Sequence, residues 1–169
     1  NLTIAGLNHT GSVNITIDDV TLEATIDGDV ATATFNNGFN ATQHTVTASY
    51  FGDVNYDNKT ESTSFSIAKL SEEIIVESAN VTYPESLVVN VTVPVNATGN
   101  VTVTVTGMNY NQTIKQNISI GDNKKLTFTF GGLGADNYTI SANYSGDLNY
   151  TEYINNSEVF EVGQLSDYT

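Results

Sequence analysis

Cysteine, tryptophan and arginine are absent from this 169-residue chain, which also has one methionine and two prolines. Without cysteine the chain has no disulfides and no thiol chemistry. No apolar run approaches the ~18 residues that a membrane span needs. Five lysines stand against 19 carboxylates, for a formal net charge of −14. This balance excludes the basic surface of a nucleic-acid-binding protein, and an anionic membrane surface would repel the chain.

Motifs of catalysis and of metal binding are missing as well. There is no Gly-x-Ser-x-Gly turn, P-loop or dinucleotide fingerprint. His9 and His44 lie far apart, without the spacing of a metal site. Acidic pairs at residues 18–19 and 27–29, and two Gly-Asp turns, could hold Ca²⁺, but they lack the ligand spacing of a dedicated loop. We therefore predict a non-enzyme without cofactor, with Ca²⁺ as the one alternative.

One seven-residue pattern, Tyr-x-Gly-Asp-x-Asn-Tyr, occurs twice, at Tyr50–Tyr56 and Tyr144–Tyr150, 94 positions apart. A second match pairs Asn8–Val13 with Asn96–Val101 at an offset of 88. The two offsets predict about six extra residues in the second copy, near positions 107–112. A repeat of this length is one domain, so the chain is predicted to hold two copies of one module.

The same alignment sets Asn1 opposite Val89, although the second copy begins near Leu70. We therefore expect the first domain, residues 1–69, to be N-terminally incomplete and to lack its first strand. The second domain, residues 70–169, carries a C-terminal tail. Since the chain begins with neither Met nor a signal peptide, we expect it to be a piece or a processed product of something longer.

Strict alternation of apolar and polar residues predicts antiparallel strands with one buried face, as in Val101–Thr106 and Tyr138–Tyr144. Gly and Asn clusters separate such runs at short intervals, which is typical of an all-β sandwich. The predicted strands are 2–5, 12–17, 21–26, 30–35, 44–50 and 62–68 in the first copy, and 73–77, 87–95, 100–106, 113–120, 124–130, 137–144 and 157–162 in the second.

The repeated pattern follows a strand whose alternate residues share one face. The glycine would allow a left-handed turn, and the aspartate would accept hydrogen bonds from the turn's own amides. Upstream, Leu133–Tyr138 is typical of a tyrosine corner, and His44 holds the place of Tyr138 in the first copy. The residues of this structural motif are Tyr50, Gly52, Asp53, Tyr56, Tyr144, Gly146, Asp147 and Tyr150.

The strand and turn at Tyr138–Tyr150, and at His44–Tyr56 with His for the first Tyr, resemble the bacterial immunoglobulin-like modules of the group 3 type. These repeats occur in large adhesin-like surface proteins of bacteria and methanogenic archaea. The resemblance implies two tandem immunoglobulin-like β-sandwiches used as spacer or display modules, with no catalytic residues to carry over.

Acceptor sequences for N-glycosylation, Asn-x-Ser/Thr, are in large excess. Random placement of 21 Asn among 37 Ser and Thr in 169 residues would give roughly five such sites. Strand alternation explains part of the excess, since it places Asn and Thr on one polar face, but it does not explain the sites in loops. The sequence therefore predicts a glycosylated, exported protein. The acceptor asparagines are Asn1, Asn8, Asn14, Asn40, Asn58, Asn80, Asn90, Asn96, Asn100, Asn111, Asn117, Asn137, Asn143, Asn149 and Asn155.

These patterns favour an extracellular, cell-surface structural module that holds a distal region away from the cell, and the lack of disulfides suits an archaeal surface. Its partners would be neighbouring domains, identical subunits or a host or cell-surface ligand. One alternative is a filament or sheath subunit, completed by strand addition with residues 160–168 as donor. Another is a carbohydrate-binding module that uses Tyr110, Tyr153 and Tyr168.

Overall fold

The computed structural model describes residues 2–3, 11–36, 38–119 and 125–166, with only the backbone for residues 2–3 and 157. Every regular element in these ranges is a strand, and they contain no helix that could cross a membrane. The all-β prediction is therefore confirmed, and the several sheets are compatible with a β-sandwich. The chain divides into two compact units, Asn1–Ala68 and Lys69–Thr169, one residue away from the expected boundary.

Within the described residues, the second unit contains eight strands: β8 (Ile75–Glu77), β9 (Val81–Thr82), β10 (Leu87–Thr92), β11 (Asn100–Gly107), β12 (Tyr110–Asn117), β13 (Lys125–Phe130), β14 (Asp136–Tyr144) and β15 (Tyr153–Gly163). They form one sheet of three strands, in the order β13-β10-β8, and one of five, in the order β12-β11-β14-β15-β9. All neighbours are antiparallel except β15 and β9, which run parallel.

Both sheets of the second unit contribute to one hydrophobic core. Alternate residues of β10 and β13 are buried, and so are those of β11 and β14. Period-2 alternation places these side chains on one face of each strand, so their burial against the opposite sheet supplies the main favourable free energy. The most enclosed large side chains include Tyr144, Phe128, Phe130 and Leu87.

The described residues of the first unit form seven strands: β1 (Leu2–Thr3), β2 (Val13–Ile17), β3 (Val20–Glu23), β4 (Thr25–Asp27), β5 (Val30–Thr32), β6 (Gln43–Tyr50) and β7 (Lys59–Ser66). These strands lie in a three-stranded sheet of order β1-β5-β4 and a four-stranded sheet of order β3-β2-β6-β7. Among the described residues, the buried core of this unit includes Val13, Ile15 and Tyr50 and is smaller than that of the second unit.

The central strand pair has the same register in both units. Val13 lies opposite Tyr50 as Val101 lies opposite Tyr144, and the pairing continues in step along β2–β6 and β11–β14. The following hairpin is longer in the second unit. Two residues separate the paired Ile17 and Val20, whereas six separate the paired residues 105 and 112. Four of the six extra residues are therefore at the predicted place.

Several sequence-based strand assignments need correction. The predicted strand 21–26 is two strands in different sheets, because the chain changes sheet at the buried Ala24, whose N–H binds the Val13 carbonyl. Strand β9 was not predicted, since two residues show no periodicity. Residues 33–35 and 93–95 lie outside strands, although both runs were assigned to one. The predicted residues 4–5, 120 and 124 lie outside the described residues.

Candidate functional site

The repeated seven-residue pattern forms the same turn in both units. The Asp53 N–H donates to the Tyr56 carbonyl at 2.9 Å, and the Asp53 carboxylate accepts from the N–H groups of Asn55 and Tyr56, both at 2.8 Å. In the second unit the Asp147 carboxylate accepts from the two equivalent N–H groups at 2.7 and 2.8 Å. The aspartate thus caps its own turn, as the sequence predicts.

Glycine is required in these turns by conformation and by space. Gly52 and Gly146 have φ values of 80° and 71°, which disfavour any side chain. A Cβ on Gly146 would lie 2.7 Å from the Glu152 nitrogen, and one on Gly52 would lie 2.8 Å from the Tyr56 oxygen. The chain therefore folds back on itself more closely than any other residue allows.

In each unit, a second glycine in a neighbouring loop lies in close contact with the turn. A Cβ on Gly11 would lie 2.6 Å from the Gly52 carbonyl oxygen, and one on Gly99 would lie 2.7 Å from the Gly146 carbonyl oxygen. These two glycines have φ values of 101° and 94°. We call this close contact of a Thr-Gly loop with a Gly-Asp turn the turn lock. It occurs in both units and joins the two motifs that the sequence repeats.

Buried tyrosine fixes the turn lock to the core in each unit. Tyr144 is fully buried, and its hydroxyl donates to the Thr98 carbonyl at 3.0 Å. Burial raises the pKa of Tyr144, so the phenol stays protonated and keeps donating. Tyr50 is buried at the equivalent position of the first unit.

The carboxylate of Asp147 is the most heavily hydrogen-bonded acid of the second turn lock. Burial alone would raise its pKa, but N–H groups of Thr98, Asn149 and Tyr150 stabilise the charged form, so the pKa is lowered from its ordinary value of 3.8. Its second oxygen binds both the N–H and the hydroxyl of Thr98, at 2.7 and 3.2 Å. These oxygens are saturated by protein donors, which argues against a cation site here.

The turn of the second unit also holds the segment that leads into that unit. The Leu70 N–H donates to the Asn149 carbonyl at 2.8 Å, and the Thr151 N–H donates to the Leu70 carbonyl at 3.0 Å. The Lys69 ammonium donates to the Asp147 carbonyl at 2.6 Å. The Gly-Asp turn is therefore a binding surface for extended backbone as well as a cap on the core.

The predicted tyrosine corner is present, and histidine reproduces it. The Tyr138 hydroxyl donates to the Gly134 carbonyl at 2.7 Å, and His44 Nε2 lies 2.8 Å from the Asn40 carbonyl, again four residues upstream. His44 is 4 % exposed, and its Nδ1 lies 2.8 Å from the Asp18 carboxylate. These two acceptors raise the pKa of His44, with the Asn40 carbonyl as the larger cause.

An open groove of about 460 Å³ enters the core of the first unit. Its floor consists of Ile15 and Ile17 on β2, Val46 and Ala48 on β6, and two residues that follow β5, Ala33 and Phe35. Residues 61–63 of β7 form its rim. We call this feature the first-unit groove.

The second unit shows what fills this space when the core is closed. The run Leu126-Thr-Phe128-Thr-Phe130 is similar to Ala31-Thr-Ala33-Thr-Phe35, with both Thr and the final Phe identical. Phe128 and Phe130 lie directly opposite Val89 and Leu87 of β10, and all four residues are buried. In the first unit β1 pairs only with Val30 and Ala31, and Ala33 and Phe35 are partly exposed. Described residues supply no counterpart to Leu87 and Val89.

Thirteen of the fifteen acceptor asparagines lie in described residues, and none of the thirteen is buried. Asn1 and Asn8 lie outside those residues. Asn90 and Asn80 use their carbonyl oxygens as acceptors, from the Thr127 hydroxyl and the Glu161 N–H. Each described acceptor residue is therefore partly or fully exposed, as attachment of a glycan to its amide nitrogen requires.

Other sequence-predicted residues are accounted for by packing. Tyr110 is half-buried, forms a T-shaped contact with Tyr138 and donates its hydroxyl to the Gly131 carbonyl. Tyr153 is also half-buried against the core, and Tyr168 lies outside the described residues. Within the described ranges no three acidic, His or Cys side chains gather as metal ligands would.

The donor strand predicted for the first unit, residues 160–168, begins within the core of the second unit. Phe160 and Val162 are buried in the core of their own unit, at 4 % and 2 % exposure. They belong to β15, which pairs with both β14 and β9. Only residues 164–166 of the tail are described beyond that strand, and all three are exposed.

Comparison with known proteins does not identify a family for this chain. No protein-family model matches the chain, and no curated protein matches it either.

Proposed function

We propose that this chain is a glycosylated structural module of an extracellular surface protein, built from two tandem immunoglobulin-like β-sandwiches that act as a stalk or spacer. The observation that carries the proposal is the turn lock, which occurs at equivalent places in both units. Because the turn lock requires glycine at two positions in each unit, its occurrence at equivalent positions indicates selection for a repeated rigid unit. No catalytic chemistry is needed to account for the described side chains.

The hydrogen bonds that hold the segment leading into the second unit support a function as a spacer. Leu70 is bonded through both its N–H and its carbonyl to the Gly-Asp turn of the second unit. Backbone held in this way loses conformational freedom, so the leading segment becomes a continuation of the folded unit instead of a free linker. A tandem array would use the same turn to hold each incoming segment.

The acceptor sites support glycosylation of an exported chain. Apolar residues of the alternating strands face the core, whereas acceptor asparagines such as Asn117 and Asn143 are exposed on the other face. Glycans there would cover the sheet surface without disturbing the core. The extracellular surface of a prokaryote, an archaeon in particular, suits a chain that is glycosylated and has no disulfides.

Glycopeptide mapping of protein from its native source tests the proposal. We expect glycans at several of the exposed acceptor sites, with Asn117 and Asn143 among them. A matched control is the Asn37 position, which is followed by Gly38 and Phe39 and is no acceptor sequence. Unmodified peptides at every acceptor site would overturn the glycosylated module. Saturable binding on a glycan array would instead favour a carbohydrate-binding module.

The first-unit groove favours a second candidate, a subunit of an extracellular filament or sheath that joins its neighbours by strand addition. An apolar groove beside backbone that pairs with no described strand, as at residues 33–35, is a template for an added strand. Negative-stain electron microscopy of the purified chain, alone and with its native surface proteins, tests this function. Filaments that contain the chain would support it, and dispersed particles under both conditions would contradict it.

A further inference from the structure

Two adjoining clefts lie beside the first residues of β14, at the opposite end of that strand from the turn lock. One cleft, of about 290 Å³, has Asn137 and Glu161 in its lining. The other, of about 430 Å³, has Tyr83 in its lining. Ala135 and Gln164 line both, so the two form one continuous surface, which we call the Tyr83 cleft.

A predicted glycosylation site lies within this cleft. Asn137 is the acceptor of an Asn-Tyr-Thr sequence, and it is exposed. It lies directly opposite Glu161 in the pairing of β14 with β15. Residues opposite each other in an antiparallel pair place their side chains on the same face of the sheet, with Cβ atoms roughly 5 Å apart. A glycan on Asn137 therefore leaves the sheet beside Glu161 and enters the Tyr83 cleft.

Tyr83 gives the cleft an aromatic face that is held in position. Its side chain is half exposed, and its N–H donates to the Gly163 carbonyl at 2.9 Å. The preceding Thr82 pairs with Gly163 and donates its N–H to the Glu85 carboxylate at 3.0 Å. The face of an aromatic ring carries negative partial charge, which attracts the C–H groups of a sugar ring. Because the backbone is already fixed, stacking of a sugar would order little of the protein.

Two carboxylates and an amide supply hydrogen-bonding groups along the cleft. Asp136 and Glu161 can accept from sugar hydroxyls, and the Gln164 amide can donate as well as accept. The Asp136 carboxylate accepts from the N–H groups of Met108 and Asn137, at 3.2 and 2.8 Å, and a carboxylate has about four acceptor positions. Both carboxylates would repel an acidic sugar, so the cleft favours a neutral one.

We propose that the Tyr83 cleft holds the glycan carried by Asn137, with the Tyr83 ring stacked on a neutral sugar and with Asp136, Glu161 and Gln164 hydrogen-bonded to sugar hydroxyls. This inference rests on the proposed glycosylation and specifies one site, its sugar chemistry and the side chains that the sugar contacts. The glycan at this site is then part of the packed surface of the second unit.

Attachment at Asn137 favours this glycan over a free saccharide. The lining residues Tyr83 and Gln164 are exposed, so a free sugar would have to offset its lost translational freedom with few contacts. A glycan joined to Asn137 binds intramolecularly, at the high effective concentration of a short tether. Because the two clefts share part of their lining, the glycan reaches the Tyr83 ring along one surface.

NMR of the full, glycosylated chain from its native host tests the contact directly. Ring protons of Tyr83 should show nuclear Overhauser effects to sugar protons, and those sugar protons should shift upfield because they lie over the ring face. Thr139→Val destroys the acceptor sequence at Asn137 and should remove these signals. Ser119→Ala destroys the acceptor sequence at Asn117, on the strand at the opposite edge of the sheet, and is the matched control that should leave them unchanged.

A thermal-unfolding cycle separates stacking from a general effect of the sugar. In glycosylated protein, Thr139→Val should lower the Tm of the second unit by roughly 2–4 °C more than in unglycosylated protein, the shift expected for a small stabilisation of a domain of this size. In a Tyr83→Ala background this difference should disappear, because the two changes remove the same contact. Tyr83→Phe keeps the ring and should keep the difference.

Several results would overturn the inference while leaving the proposed function standing. One is an occupied Asn137 whose sugar protons make no contact with Tyr83. Another is an unmodified Asn137 in protein that carries glycans at Asn117 and Asn143. A third is a glycan of acidic sugars at Asn137, measured by mass spectrometry of its glycopeptide. Absence of glycans from every acceptor site would instead overturn both proposals.

A free saccharide is the other possible occupant, and the Thr139→Val variant tests it on an array of neutral glycans. We expect no saturable binding, since the tether that favours the bound state is absent. Saturable binding that Tyr83→Ala abolishes would show that the cleft takes a sugar from another molecule, and would overturn its assignment to the glycan of Asn137.

Discussion

The two units have equivalent turn locks but differ in how much of each core is buried. Both have the turn lock, the buried tyrosine beside it and the same register between the central strands. In the second unit Phe128 and Phe130 pair with β10, whereas in the first unit Ala33 and Phe35 line an open groove. The turn lock therefore forms even where the core is incompletely buried. The difference also shows which side chains the groove lacks.

Loss of the buried tyrosine should produce the largest difference between the units. Tyr144→Ala should lower the free energy of unfolding of the second unit by about 3–5 kcal/mol, since its aromatic ring is fully buried. Tyr50→Ala should cost roughly half as much, because neighbours beside an open groove can relax into the cavity. Denaturation followed by NMR signals of each unit measures both values.

The matched control for this prediction is Tyr144→Phe. It keeps the ring and removes only the hydrogen bond to the Thr98 carbonyl, for a cost of about 1 kcal/mol. Equal costs for Tyr144→Ala and Tyr50→Ala would show that the two cores are equally closed.

Alanine at the turn glycines should destabilise the two units equally. Gly52→Ala and Gly146→Ala should each lower the free energy of unfolding by about 1–2 kcal/mol, because alanine disfavours the left-handed conformation. A further loss is expected because the added Cβ would lie less than 3 Å from backbone atoms, which would have to move. Gly28→Ala is the control, because Gly28 has a φ of 60° but no atom within 4 Å of an added Cβ. Thermal unfolding should rank Gly28→Ala as the mildest change, and costs that differ between the two turns would contradict a shared turn lock.

Filling the groove should stabilise the first unit alone. Ala33→Phe should raise its free energy of unfolding by about 1 kcal/mol, since the new ring is partly buried on the groove floor. The second unit should be unaffected. Urea denaturation with unit-specific NMR signals measures the change, and a loss of stability would mean that the space is smaller or more rigid than described.

The two units should respond to pH in opposite directions. The pKa of His44 is raised above 6.5, chiefly by the Asn40 carbonyl, so its contribution is present below pH 6.5 and lost as pH rises through the folded-state pKa. The pKa of Asp147 is lowered below 3.8, so its contribution is present above that value and lost on acidification through the folded-state pKa.

Stability measured against pH should therefore show the first unit weakening as pH rises above 6.5 and the second weakening as pH falls below 3.8. His44→Tyr, which copies Tyr138, should remove the loss of stability above pH 6.5 in the first unit. A pH profile that this substitution leaves unchanged would show that His44 does not cause it.

Much of this architecture follows from local patterns in the sequence. Period-2 alternation predicts the long strands, and the repeated Gly-Asp pattern predicts the positive φ of Gly146 and the capping by Asp147. The tyrosine corner at Tyr138 is likewise local, since its acceptor is only four residues away.

Features fixed by distant contacts could not be predicted in this way. Strand β9 is two residues long and exists because Val81 pairs with Val162 of β15. The change of sheet at Ala24 depends on a hydrogen bond to Val13. The contact of Gly99 with Gly146 joins residues 47 positions apart, so the sequence shows both motifs without showing that they meet.

Hydrogen exchange of the full chain, resolved by residue, tests the difference between the two units most directly. We expect strong protection for central strands β2, β6, β11 and β14 in both units, strong protection for Phe128 and Phe130, and fast exchange for Ala33 and Phe35. Fast exchange there would identify the first-unit groove as open backbone that can accept a strand. Protection of Ala33 and Phe35 equal to that of Phe128 and Phe130 would show that the groove is already closed and would contradict the account.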